Sequence, residues 1–266
     1  MASASPTTSS DVIAQRFDRL RREDRRALVF YVTAGHPDFE ASVALLQGLE
    51  AAGADVIEVG VPFSDPMADG PVIQASSQRA LDGGMSLDRT LELISRARLT
   101  TPVVLFSYLN PVLAAGPDVL QRAADAGTHG ILITDLPLGA DAEREEWLGS
   151  GPLDFVRLVA PTTPVTRMRE IARHGGGFIY LISRLGVTGV RQELPSELPA
   201  TVAQVRAVSP LPVCVGFGIS TPEQAAAVGR LADGVVVGSA LVAAADRSVD
   251  DAVRFAGRIR AGLDAA

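Results

Sequence analysis

ALVFYVTAGHPDFEASVALLQGLEAAGADVIEVG, from Ala27 to Gly60, places a helix-period segment between two short apolar runs. The runs ALVFYVT and ADVIEVG are rich in β-branched and aliphatic residues, as strands covered on both faces must be. Between them FEASVALLQGLEAAG repeats its apolar side chains with the period of a helix. This is one β-α-β unit, and the alternation continues along the chain. PVVLFSY starts at Pro102, HGILITD at His129, DFVRLVA at Asp154, GFIYLIS at Gly177, PVCVGFG at Pro212 and DGVVVGS at Asp233. These eight strand starts lie about 29 residues apart on average, the length of a β-α unit. They predict a single closed (β/α)8 barrel, or TIM barrel. A doubly wound open sheet is the other arrangement that such alternation allows.

No composition shift divides the chain, so residues 10–266 are expected to form one catalytic barrel domain and residues 1–9 a disordered N-terminal tail. After a Ser10 or Asp11 cap, Ile13, Phe17 and Leu20 recur at i, i+4 and i+7. They predict an extra N-terminal helix that closes the bottom of the barrel.

Composition narrows the chemistry. The 266 residues carry a net charge of -7, and their 24 basic side chains are all arginines. Without lysine no side chain can form a Schiff base with a carbonyl substrate or with pyridoxal phosphate, and there is no P-loop lysine. The one cysteine, Cys214, cannot form an intramolecular disulfide, and His36, His129 and His174 show no metal-ligand spacing, so no metal is expected. The acidic balance argues against nucleic acid, and no run is apolar enough for a signal peptide or a membrane span. A reducing cytoplasm fits best.

The strand spacing is uneven, and the longest connections follow strands 2 and 6: VPFSDPMADGPVIQASSQRALDGG from Val61 and RLGVTGVRQELP from Arg184. Long connections at the C-terminal face of a barrel are where function is built. Glu58 stands in the middle of the apolar strand VIEVG, where burial would raise its pKa into the range useful for acid-base work. A Glu paired with an arginine, or one wetted at the rim, would fit the same position. Asp65 and Asp69 follow in the proline-stiffened loop, where one could face substrate while the other caps a turn or meets a partner. Glycine-rich turns end strands 6, 7 and 8 at Ser183–Gly189, Gly216–Ser220 and Gly238–Ala240, and together they suggest a backbone cradle for phosphate. Tyr31, Phe106, Tyr108, Tyr180 and Phe217 fall in or beside strands, as core or as the wall of a flat apolar pocket. These features suggest acid-base cleavage or isomerisation of a phosphorylated small molecule.

The segment IEVGVPFSDPMADGPVIQASSQRAL, from Ile57 to Leu81, strongly resembles the signature of the tryptophan synthase alpha subunit family. FYVTAGHPDFEAS at Phe30, FSYLNPVLAAG at Phe106, GILITDLP at Gly130, YLISRLGVTGVR at Tyr180 and GFGIS at Gly216 look like further family blocks in the same order. The resemblance implies a (β/α)8 lyase that splits indole-3-glycerol phosphate into indole and glyceraldehyde 3-phosphate. It implies Glu58 and Asp69 as the catalytic pair, and Gly189, Gly218, Gly238 and Ser239 around the phosphate. Tyr108, Tyr180 and Phe217 would surround the indole, with Thr188 closing toward Asp69. Asp65 and Pro66 would meet a beta subunit in an alpha2beta2 heterotetramer, and pyridoxal phosphate would belong to that partner, with no cofactor in this chain.

Four positions depart from the commonest pattern: His36 where Gly-Asp-Pro is frequent, Met67 for Leu, His129 for a common Asp, and Leu185 at a variable site. Two further roles fit the same residues. One is a stand-alone lyase releasing free indole for specialised metabolism; the other is a weakly active subunit that mainly activates beta.

Overall fold

In the computed structural model, which describes residues 11–182, 195–216 and 218–266, the alternation closes on itself. Thr188, Gly189, Leu185 and Phe217, and the tail expected over residues 1–9, lie outside the described residues. The strands are β1 (Ala27–Thr33), β2 (Val56–Gly60), β3 (Val103–Ser107), β4 (Gly130–Ile133), β5 (Asp154–Val159), β6 (Ile179–Ile182), β7 (Val213–Gly216) and β8 (Gly234–Val237). Each pairs in parallel with the next in sequence, and β1 also pairs with β8, with Ala27 opposite Gly234 and Phe30 opposite Val237. That last pairing distinguishes the barrel from an open sheet.

The helices are α1 (Asp11–Arg22), α2 (Phe39–Ala51), α3 (Pro71–Asp82), α4 (Leu87–Ala97), α5 (Leu109–Ala114), α6 (Val119–Asp125), α7 (Ala142–Gly149), α8 (Val165–Arg173), α9 (Leu198–Val208), α10 (Pro222–Gly229), α11 (Ser239–Ala245) and α12 (Val249–Asp264). Five of them start where a short polar side chain accepts an orphan amide proton: Asp38, Ser86, Asp141 and Ser248 cap α2, α4, α7 and α12, and Thr221 with Gln224 forms a capping box on α10. The long connection after β2 holds two helices, α3 and α4, which is where its extra length goes.

Strand residues alternate between two cores, which explains why the strands read as nearly continuous apolar runs. Leu28, Phe30, Val32, Ile57 and Val59 pack under the helices. Val29, Val56, Val104, Leu132, Val156, Tyr180, Cys214 and Val236 point inward and fill the barrel together with Ile13, Phe17 and Leu20 of α1. The N-terminal helix therefore plugs the bottom of the barrel, as its periodicity predicts.

The plug fits at glycines. A Cβ built on Gly130 would lie 3.0 Å from Ile13 Cδ1, and one on Gly177 would lie 3.3 Å from it. Ile13→Val removes that methyl from a fully buried site. The expected loss is about 1 kcal/mol of unfolding free energy, read by urea titration, with lyase activity retained. An unchanged midpoint would mean that the helix does not close the barrel in solution.

The same lower edge has a recurring device. A side chain just before one strand accepts an amide proton from the start of the strand beside it: Leu28 N–H donates to Asp55 (3.0 Å), Val213 N–H to Asp233 (2.9 Å), and Val103 N–H to His129 Nδ1 (3.2 Å). His129 thus does with a ring nitrogen what Asp55 and Asp233 do with carboxylates. Burial lowers its pKa, which keeps that nitrogen free to accept.

Candidate active site

Opposite the α1 plug, the inward row of β2 carries Val56, Glu58 and Gly60, and the register sets Glu58 between Tyr31 on β1 and Val104 on β3. An apolar strand inside a closed barrel buries whatever it carries, and Glu58 is 0% exposed. Both of its carboxylate oxygens lack a hydrogen-bond partner among the described residues. Desolvation, with no compensating cation, pushes its pKa up to about 8. Among the described residues no arginine pairs with Glu58, and its 0% exposure does not fit a position wetted at the rim.

Asp69 lies in the turn before α3, two residues ahead of Pro71 at the first position of the helix. Tyr108, just past the end of β3, donates its phenolic proton to Asp69 Oδ2 at 3.0 Å and accepts the Ala68 N–H at 2.9 Å. Gln74 of α3 donates to the Asp69 carbonyl at 2.9 Å. The loop is thus tied to the barrel mouth by one phenol, whose ring also meets Phe63 at 5.1 Å between centroids. Burial raises the pKa of Asp69 to about 6, and the Tyr108 hydrogen bond opposes part of that rise.

Both carboxylates act on the same two phenols. Tyr31 and Tyr180 are held well above their ordinary pKa, by burial first and then by the field of Asp69 and Glu58. The phenols reach the centre because glycines leave room: a Cβ on Gly60 would lie 2.2 Å from the Tyr31 hydroxyl, and one on Gly216 would lie 2.3 Å from the Tyr180 hydroxyl. Gly216, which opens one of the glycine-rich turns, also leaves room for the ring of Tyr180. Tyr31, read from sequence only as one of several strand aromatics, faces Glu58 in register and packs edge-on against Phe106 at 5.0 Å.

The glycine turns after β7 and β8 end beside this group. Gly218 has φ +84°, a conformation that a side chain would strain. Gly238 caps the start of α11, and a Cβ there would lie 3.4 Å from Tyr31 Cβ, so the end of β8 abuts the ring that faces Glu58. Gly238 and Ser239 are half-buried, with their backbone at the barrel mouth. Asp65 and Met67 lie on the outer side of the Asp69 loop, exposed, and Met67 is 85% so. Of the residues picked from sequence, Glu58, Asp69, Tyr108, Tyr180, Gly218, Gly238 and Ser239 share the C-terminal mouth, and Asp65 and Pro66 flank it.

At neutral pH this arrangement holds one carboxyl protonated and one ionised beside the same two phenols. That is the condition for an acid and a base to act on one substrate. Among the described residues no cluster of His, Cys, Asp and Glu could hold a metal ion. No helix among them is long and apolar enough to cross a membrane.

The family model for the tryptophan synthase alpha chain matches residues 17–261. The tryptophan synthase alpha chain of Gluconacetobacter diazotrophicus is 49% identical over 247 residues, 90% of this chain and 88% of that protein. That of Citrifermentans bemidjiense is 51% identical over 233 residues, covering 86% and 87%. Among solved structures, a chain of Mycobacterium tuberculosis tryptophan synthase superposes with a TM-score of 0.87 at 38% identity, covering 94% of this chain and 97% of that one. The alpha subunit from Legionella pneumophila does so with a TM-score of 0.86 at 37% identity, covering 96% and 99%.

Proposed function

Because this chain belongs to the tryptophan synthase alpha chain family, we propose that Glu58 and Asp69 are the acid-base pair of that family's reaction, the cleavage of indole-3-glycerol phosphate to indole and glyceraldehyde 3-phosphate. The alpha chain is the lyase component of tryptophan synthase and works in tryptophan biosynthesis. The observation that carries the residue assignment is Glu58, buried at the barrel centre with no partner among the described residues and a pKa near 8.

With no lysine to form an iminium, the indole ring must itself become the electron sink. Protonated Glu58 gives its proton to ring carbon C3, while ionised Asp69 takes the proton from the indole nitrogen. The resulting indolenine has a C=N bond into which electrons can move. The bond between C3 and the glycerol side chain breaks, and its electron pair restores the aromatic ring. The side-chain hydroxyl returns a proton to Glu58 as it becomes the aldehyde, and Asp69 reprotonates the ring nitrogen. Both carboxyls end as they began. The apolar walls contributed by Tyr108, Tyr180 and Phe217 would hold the indole flat, and the backbone amides at Gly189, Gly218, Gly238 and Ser239 would hold the phosphate. Thr188 would complete closure over Asp69.

The exposed side of the Asp69 loop, with Asp65, Pro66 and Met67, would meet a beta subunit in an alpha2beta2 assembly. Large exposed apolar side chains are uncommon here: besides Met67, only Leu113 of α5 and Val165 qualify among the described residues. Pyridoxal phosphate would sit in that partner, on the partner's lysine, and the cytoplasm would be the setting. Residues 10–266 would be one catalytic domain.

The test is indole release by the isolated chain with and without beta subunit. An increase of at least ten-fold on adding beta is expected. A high rate that beta leaves unchanged would favour the stand-alone lyase, and a rate negligible in both conditions would leave only the activating role.

A further inference from the structure

His36 lies in the turn after β1, only 2% exposed, at the C-terminal end of the barrel. Its Nε2 lies 3.3 Å from Asp246 Oδ1. Asp246 caps the C-terminal end of α11, and Arg79, in the last turn of α3, reaches the same oxygen at 2.5 Å. Three connections thus meet at one carboxylate oxygen, which is bonded to Arg79 and lies against His36: the turn after β1, the helix that follows the Asp69 loop, and the helix that starts at Ser239. α3 has a second fastening to β1, a buried hydroxyl pair between Thr33 and Ser76 at 2.7 Å, with Ser76 also donating to the Ile73 carbonyl at 2.8 Å. The turn itself is pinned by Ser42, which donates to the His36 carbonyl at 3.0 Å.

α3 and α11 are the two elements whose starts bear on opposite ends of the substrate. Asp69 precedes the first, and Gly238 with Ser239 opens the second. A joint between their far ends sets how the two starts face each other, because a short helix moves as a rigid rod. A shift of about 1 Å at a reacting group can lower turnover by about 10²-fold. Burial lowers the pKa of His36 and Arg79 adds to that, while Asp246 and the Val242 backbone act against it; the approach to Asp246 is close but not aligned as a hydrogen bond.

We propose that His36 is a positioning residue for the lyase reaction, acting through Asp246 and Arg79 to hold the Asp69 connection and the phosphate-side helix in register. The inference rests on the assignment of Asp69 and of the α11 start given above. The test compares His36→Phe, which keeps the volume and removes the polar nitrogen, with His36→Gln, which can place an amide nitrogen near the Nε2 position. His36→Phe is expected to lower kcat/KM for indole-3-glycerol phosphate by about ten-fold, with KM raised as well as kcat lowered, and His36→Gln to stay within about two-fold of the parent. Asp246→Asn should give a similar loss, and combining it with His36→Phe should add little more. Parental kinetics in His36→Phe, equal impairment in the two His36 variants, or full additivity with Asp246→Asn would overturn the proposal. If His36→Phe fails to fold, Asp246→Asn and Arg79→Gln, both at half-exposed positions, decide the matter: parental kinetics in both overturn it. A fully active Glu58→Gln enzyme would instead show that the catalytic assignment itself is wrong.

Discussion

Replacing Glu58 by Gln is expected to lower kcat for indole release by about 10³-fold or more while the barrel remains folded. Amide and carboxyl have nearly the same shape, so the inward row of β2 stays packed. What is lost is the proton. General acid-base transfer by one group is typically worth about 10² to 10⁴ in rate, and Glu58 is assigned two transfers, to C3 and from the hydroxyl. The variant also separates chemistry from stability. A carboxyl whose folded-state pKa is near 8, against an ordinary 4.5, binds more protons folded than unfolded between those values. Its contribution to stability is full below pH 4.5 and is lost as pH rises through 8. Glu58→Gln removes that dependence, so its melting temperature should gain on the parent's as pH is raised from 5 to 9. Steady-state assays with calorimetry over that range check both. Turnover within ten-fold of the parent would remove Glu58 from the mechanism.

The strands were readable because a strand covered on both faces has to be apolar throughout, and α1 was readable because Ile13, Phe17 and Leu20 all face one way. Glu58 stood out by violating the pattern of its own strand. Closure of the barrel was less directly readable, since it depends on β1 meeting β8 about 200 residues away, a pairing that no local pattern encodes. The hydrogen bond from Tyr108 to Asp69 spans 39 positions, and nothing local in FSYLNP says where that hydroxyl ends. The room that Gly60 and Gly216 give to Tyr31 and Tyr180 could have been sought by pairing each strand glycine with the large residue on its neighbour, once the register is known. His36 and His129 read as departures from a pattern. In the fold each has a close neighbour, the Asp246 carboxylate beside one and the Val103 amide bonded to the other.

Asp69→Asn should lower kcat by about 10²- to 10³-fold and change the shape of the pH profile, and the second effect carries more information. In the parent, activity requires Asp69 ionised and Glu58 protonated. Because Asp69 titrates near 6 and Glu58 near 8, kcat/KM for the free enzyme should rise to a plateau between these values and fall on either side. The carboxylate with the lower pKa is the base, so the acid limb belongs to Asp69 and the alkaline limb to Glu58. Asn cannot titrate, so the residual activity of Asp69→Asn should lose the acid limb and keep the alkaline one. Tyr108→Phe gives an independent check on the sign. The phenol's hydrogen bond favours ionised Asp69, so removing it should move the acid limb upward in pH, while Ala68 loses its acceptor and the loop its tie to the barrel. An acid limb that persists in Asp69→Asn would assign it to some other group. Persistence in Asp69→Asn together with an unmoved limb in Tyr108→Phe would take the base role away from Asp69 altogether.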